Sequence, residues 1–167
     1  DPQESTELGL RYRTLVEAWR SPYLSWSTAG IPITRADADA VAAIARWGQV
    51  DILVNNANAG DAHDLTNVTA EDFNRVMQNA TGYFLLARRL RDHVVQREVG
   101  GSIIMLGSMY GVVGSYPEAY AGVCPASPVH YHTLKGGIVH MTRHLAVYWA
   151  ADNVRVNCLS PGPFPSA

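Results

Sequence analysis

Tyr131-His132-Thr133-Leu134-Lys135 places a phenol and an ammonium four positions apart. The stretch from Pro128 to Ala151 reads as a helix, and on a helix residues i and i+4 share a face. A free tyrosine titrates at about 10 and exchanges protons poorly at neutral pH. A neighbouring Lys⁺ favours the phenolate and draws that pKa towards the working range. Such a pair can pass a proton to or from a carbonyl or alcohol oxygen while another group moves a hydride. The same spacing also occurs as an exposed helical pair, so its meaning depends on the rest of the chain.

Three other stretches frame it. Asp51-Ile-Leu-Val-Asn55-Asn56-Ala57 is an apolar run that ends in two asparagines. Gly101-Ser-Ile-Ile-Met-Leu-Gly-Ser108 ends in a serine, and Val154-Arg-Val-Asn-Cys-Leu-Ser-Pro161-Gly162 ends in a Pro-Gly turn. Long helical segments separate these runs, which is the alternation that builds a parallel sheet. In such sheets ligands bind at the carboxyl ends of the strands. The asparagines, the serine and the Pro-Gly turn all fall there.

With these pieces in order, the chain resembles the short-chain dehydrogenase/reductase family of NAD(P)-dependent oxidoreductases. The matching residues are Asn55-Asn56-Ala57, Asn79 in Gln-Asn-Ala-Thr-Gly-Tyr-Phe, Ser108, Tyr131 with Lys135, and Pro161-Gly162. The resemblance covers roughly residues 32 to 166. It implies an α/β fold, a Rossmann-type doubly wound parallel sheet, in a single partial domain over residues 1–167. It implies NAD or NADP as cofactor and a secondary alcohol or ketone as substrate, with a homodimer or homotetramer as the assembly. Local wording such as Gly107-Ser-Met-Tyr-Gly111 is similar to members acting on sugar acids and polyols.

The same resemblance assigns roles. Tyr131 is the expected general acid/base, and Lys135 lowers its pKa and holds the nicotinamide ribose. Ser108 donates a hydrogen bond to the substrate oxygen. Asn79 lies at a helix irregularity and holds a water of a proton relay. Asn55, Asn56 and Ala57 contact the cofactor, Pro161 and Gly162 turn over the nicotinamide, and Ser166 binds the carboxamide. Each has a plainer alternative: a strand-end serine closing a turn, a mid-helix surface asparagine, a strand-terminal turn.

The chain also departs from the family pattern. The Gly-rich turn that meets the pyrophosphate is not found, since Gly9 and Gly30 are the only glycines before Gly48 and neither follows a convincing strand. The residue that chooses between NAD and NADP is not identifiable, and the substrate-covering helices after Pro161-Gly162 are not present. The expectations are a fragment, a chain written without disordered segments, or a protein that has lost its cofactor cradle. In the last case it would be a catalytically silent Rossmann remnant, kept as a binding or oligomerisation module. Asn58-Ala59 extends the usual Asn-Asn-Ala-Gly, and Pro32 stands where an adenine-binding aspartate is common. Tyr131 lies 23 positions after Ser108, farther than is usual. Tyr120 is closer, but Cys124 and not a lysine follows it by four residues, so Tyr131 is retained. The extra loop, Ser115 to Pro128, would line the substrate entrance, with Tyr116 and Tyr120 suited to stacking on a sugar ring.

Composition excludes some other functions. A chain of 167 residues with formal net charge −2 offers nothing to nucleic acid or an anionic membrane. No run is long enough to span a bilayer and no signal peptide opens the chain, so a cytoplasmic protein with a reduced Cys158 is expected. His140 and His144 have helical ligand spacing but lack a third ligand, so no metal site is expected. Gly107-Ser108-Met-Tyr-Gly111 is not a hydrolase elbow, because its first glycine abuts the serine. His130 and His132 are expected to point away from Tyr131.

The positioning elements follow from local signals. A helix over Glu4–Arg20 is broken by Ser21-Pro22. Thr34 caps a second, from about Arg35 to Trp47, which Gly48 ends. Thr69-Ala-Glu-Asp72 is a near capping box, opening a helix to about Glu98 with Phe73, Val76, Met77, Phe84, Leu85 and Leu90 inward. Gly100-Gly101 is expected to end it. Gly136-Gly137 in mid-helix suits close packing of two helices, and Asn153 is expected to turn the chain into the last strand.

Overall fold

The computed structural model describes residues 44–56, 58, 63–123 and 127–163. The first helix, most of the second, Ala57, Cys124 and Ser166 lie outside the described residues.

Among the described residues three strands form one sheet in the order β1 (Ile52–Asn55), β2 (Gly101–Leu106), β3 (Val154–Leu159), all parallel. Asn55 is level with Met105, and Met105 with Cys158, so the three carboxyl ends make one rim. The crossover from β1 to β2 is α1 (Ala70–Gln96), and that from β2 to β3 contains a short α2 (Pro117–Tyr120) and α3 (Val129–Tyr148).

Strand alternation decides which side each residue faces. Ile103, Met105, Val154 and Val156 are buried in one core with Val76, Tyr83, Ala87, Leu90 and Val94 of α1 and Leu134, Ile138 and Leu145 of α3. Both crossover helices therefore cover the same sheet face, as right-handed connections running in one direction require. On the other face Ile52 and Leu159 remain more than half exposed. A doubly wound sheet is covered on both faces. The described residues thus build the half wound in one direction.

α1 begins at the expected capping box. Thr69 Oγ1 accepts from Asp72 N at 3.2 Å, and Asp72 Oδ2 accepts from Thr69 N at 3.4 Å. Its end differs from expectation. The helix stops at Gln96 and Glu98 takes φ 54, with Val99 N bonded back to Val94 O, while Gly101 opens β2. The apolar stripe is also rotated: Tyr83, Ala87 and Val94 are buried, whereas Phe73 and Leu85 are only half-buried. α3 stops at Tyr148, short of Ala151, and passes through a 3-10 turn (Ala150–Asp152). Asn153, at φ 57, then turns the chain into β3 as expected.

Candidate active site

The rim of the sheet is built by two turns that hold each other. After β2, Gly107 N donates to Leu159 O at 2.8 Å and Met109 N to Pro161 O at 3.0 Å. The turn after β2 is thereby joined to the turn after β3. Two glycines permit this closeness. A Cβ on Gly107 would lie 2.7 Å from Cys158 Sγ, and one on Gly111 would lie 2.6 Å from Lys135 O. The second contact presses the 108–111 turn against α3 at the lysine.

Ser108 caps the 3-10 turn Met109–Gly111: its Oγ accepts from Tyr110 N at 3.2 Å, and the residue is 7% exposed. Accepting that bond leaves the hydroxyl proton free to be donated. The plainer role, closing a turn, and the chemical role are therefore compatible in one side chain.

Lys135 is the most unusual group here. It is 4% exposed, and its Nζ donates to Leu106 O at 2.8 Å. Among the described residues no carboxylate lies within 4.0 Å of it, and that carbonyl is the one hydrogen-bond partner of an ammonium with three protons. Burial pushes its pKa below the usual lysine value, with the Cys158 side chain acting weakly the other way. A buried, unpaired cation costs several kcal/mol. Nζ lies 5.6 Å from the centroid of the Tyr131 ring, within cation–π range. Tyr131 is half-buried, one turn before Lys135 on α3.

Asn79 lies on α1, where its Nδ2 donates to Val76 O at 2.7 Å. α1 is unbroken there, so the helix irregularity implied by the resemblance is not present. The side chain of Asn55 is turned inward. It is 0% exposed, and its Nδ2 donates to Tyr83 O at 3.0 Å and Met105 Sδ at 3.2 Å, so its side chain faces the core and its backbone is what the rim presents. Asn56, Pro161 and Gly162 are exposed on the rim. Gly136 lies 3.7 Å, by its added Cβ, from Gly111 O, while Gly137 meets nothing within 4 Å. Gly136 thus faces the 108–111 turn with room for a Cβ, and Gly137 faces open space.

Tyr110 carries no role in the sequence expectations. The Tyr110 ring lies edge-on to Tyr131 (centroids 6.5 Å, 77°) and tilted against His132 (4.7 Å, 32°). His132 thus packs beside the site through Tyr110, whereas His130 is fully buried against Phe73. The available signal was the position of Tyr110, two residues past the strand-end serine.

A family model described as enoyl-(acyl carrier protein) reductase matches residues 34–167. D-arabinitol 2-dehydrogenase (ribulose-forming) of Candida tropicalis is 31% identical over 112 residues, 66% of this chain and 37% of the relative. NADP-dependent mannitol dehydrogenase of Alternaria alternata is 32% identical over 117 residues, 70% of this chain and 40% of the relative. The chain thus spans about two fifths of the length of these curated relatives. The crystal structure of a short-chain dehydrogenase from Leptospira borgpetersenii with bound NAD+ superposes with TM-score 0.73 at 30% identity, covering 81% of this chain and 52% of that one.

Proposed function

This chain belongs to the short-chain dehydrogenase/reductase family, and from that premise we propose that it is an NAD(P)-dependent oxidoreductase domain interconverting a secondary alcohol and a ketone. The observation that supports this best is Lys135: a buried ammonium with one carbonyl partner among the described residues has protons to offer a ligand. That donor set fits the hydroxyl-rich nicotinamide side of a dinucleotide. The cofactor, when bound, supplies or accepts the hydride. Tyr131 gives or takes the proton at the substrate oxygen, and Ser108 donates its free hydroxyl proton to that oxygen. Lys135 holds positive charge at the face of the phenol ring and steadies the ribose. The rim residues Asn56, Pro161 and Gly162 border the cofactor.

A polyol or its ketose is the substrate class we favour, because relatives named for arabinitol and mannitol share this half of the fold. A homo-oligomer is proposed through the exposed side of α3, where Gly137 is open and Val147 and Tyr148 are exposed. A monomeric mass in solution would count against it.

Titration with NADH and NADPH, read by fluorescence, tests the main reading. Binding of one of them is expected, with Tyr131→Phe losing turnover while keeping that affinity. No binding of either at millimolar concentration would favour a silent module, and parallel loss of both properties in Tyr131→Phe would mark Tyr131 as structural.

A further inference from the structure

We infer that Tyr110 is a positioning residue, which fixes the Ser108 hydroxyl and the Tyr131 ring relative to each other. The inference rests on the reading of Tyr131 as the acid/base. Ser108 and Tyr131 belong to different elements, one on the turn after β2 and one on α3. Tyr110 touches both. Its backbone N–H donates to Ser108 Oγ at 3.2 Å, which orients the hydroxyl. Its ring meets the Tyr131 ring edge-on at 6.5 Å, a favoured aromatic geometry that limits rotation of the phenol.

Tyr110 also meets a second residue of α3. His132 lies against its ring at 4.7 Å, and the His132 Nε2 is buried with no hydrogen-bond partner among the described residues. Burial pulls the His132 pKa down, so the imidazole packs as a neutral plate. The close approach of Gly111 to Lys135 O anchors the other end of the turn. A ring that meets two neighbouring residues of α3 and is joined to two candidate chemical groups sets their separation. Displacing a reacting group by about 1 Å can cost about 10²-fold in rate.

The test uses the full protein with D-arabinitol and D-mannitol as alcohols and NAD⁺ and NADP⁺ as oxidants, beside NMR of tyrosine-ring-labelled protein. Tyr110→Leu is expected to move the Tyr131 ring resonances and lower kcat about 10²-fold, with KM and cofactor affinity within about threefold. Both variants keep the backbone N–H, so Tyr110→Phe, which alone also keeps the ring, is expected to restore both. Unmoved Tyr131 resonances, or unchanged kcat, in Tyr110→Leu would overturn the inference. So would a Phe variant as impaired as the Leu variant. Should Tyr110→Leu fail to fold, His132→Ala removes the supporting plate and is expected to lower kcat about tenfold with cofactor affinity kept; unchanged kcat there would also overturn it. The underlying reading fails separately, if Tyr131→Phe keeps wild-type turnover.

Discussion

Asn55 uses its amide group inside the core, donating to Tyr83 O and Met105 Sδ. Its Oδ1 has no hydrogen-bond partner among the described residues, so the amide is held through its nitrogen alone. That bond ties the tip of β1 to α1 one turn beyond Asn79, and so sets the height of the helix against the rim. A carboxylate there could only accept, and would face a carbonyl without solvent. Asn55→Asp is expected to lower unfolding free energy by about 3 kcal/mol or more in urea denaturation. A loss under about 1 kcal/mol would show that the tie is dispensable. The inward turn of this side chain was not legible beforehand. Asp51-Ile-Leu-Val-Asn55 is apolar at successive positions, so no alternation says which of Leu53 and Val54 faces the core. The Tyr131–Lys135 pair was legible because its geometry is local, set by one helix. Tyr110 was not, because its contacts exist only once the 108–111 turn has folded back on α3.

At the scale of elements, α1 is fastened at its far end to the start of β1, away from the rim. His93 Nε2 accepts from Val50 N at 3.2 Å, and Arg97 donates to Asp51 Oδ1 at 2.6 Å and Gln49 Oε1 at 3.2 Å. Burial, and secondly the Arg97 charge, pull the His93 pKa down, with Asp51 opposing. A histidine that is harder to protonate when folded makes the unfolded chain the stronger proton binder. Stability is therefore full above the unfolded value of about 6.5 and falls as pH drops below it. His93→Gln keeps an acceptor for Val50 N and cannot titrate. The variant is expected to show a smaller loss of urea midpoint between about pH 7.5 and 5.5 than the parent; an equal loss would remove His93 from the explanation. His132 shares the direction of shift, so some slope should persist. The ends of α1 show what sequence can report about elements. Its start was readable because Thr69 and Asp72 satisfy each other locally. Its stop was not, because Glu98 takes a left-handed conformation that usually calls for glycine.

At the scale of the molecule, three parallel strands and two covering helices bring Ser108, Tyr131 and Lys135 to one rim. The order of strands and helices was readable because each apolar run is bounded by a turn or cap. Which sheet face the helices would share was not, since that depends on the direction of winding and not on any single segment. The assembly concentrates one unfavourable group, Lys135, at the place where it also concentrates its candidate chemistry. Natural folds usually pair a buried cation, and among the described residues this one has a single carbonyl. Replacing it by a flexible apolar residue of similar length should therefore relieve the fold and disable the site. Thermal unfolding of Lys135→Met, with and without NADH, reads both at once. Equal or higher Tm without cofactor is expected, with most of the NADH-induced rise seen in the parent lost. A Tm well below the parent's, with that rise intact, would show that Lys135 serves the fold and not the cofactor.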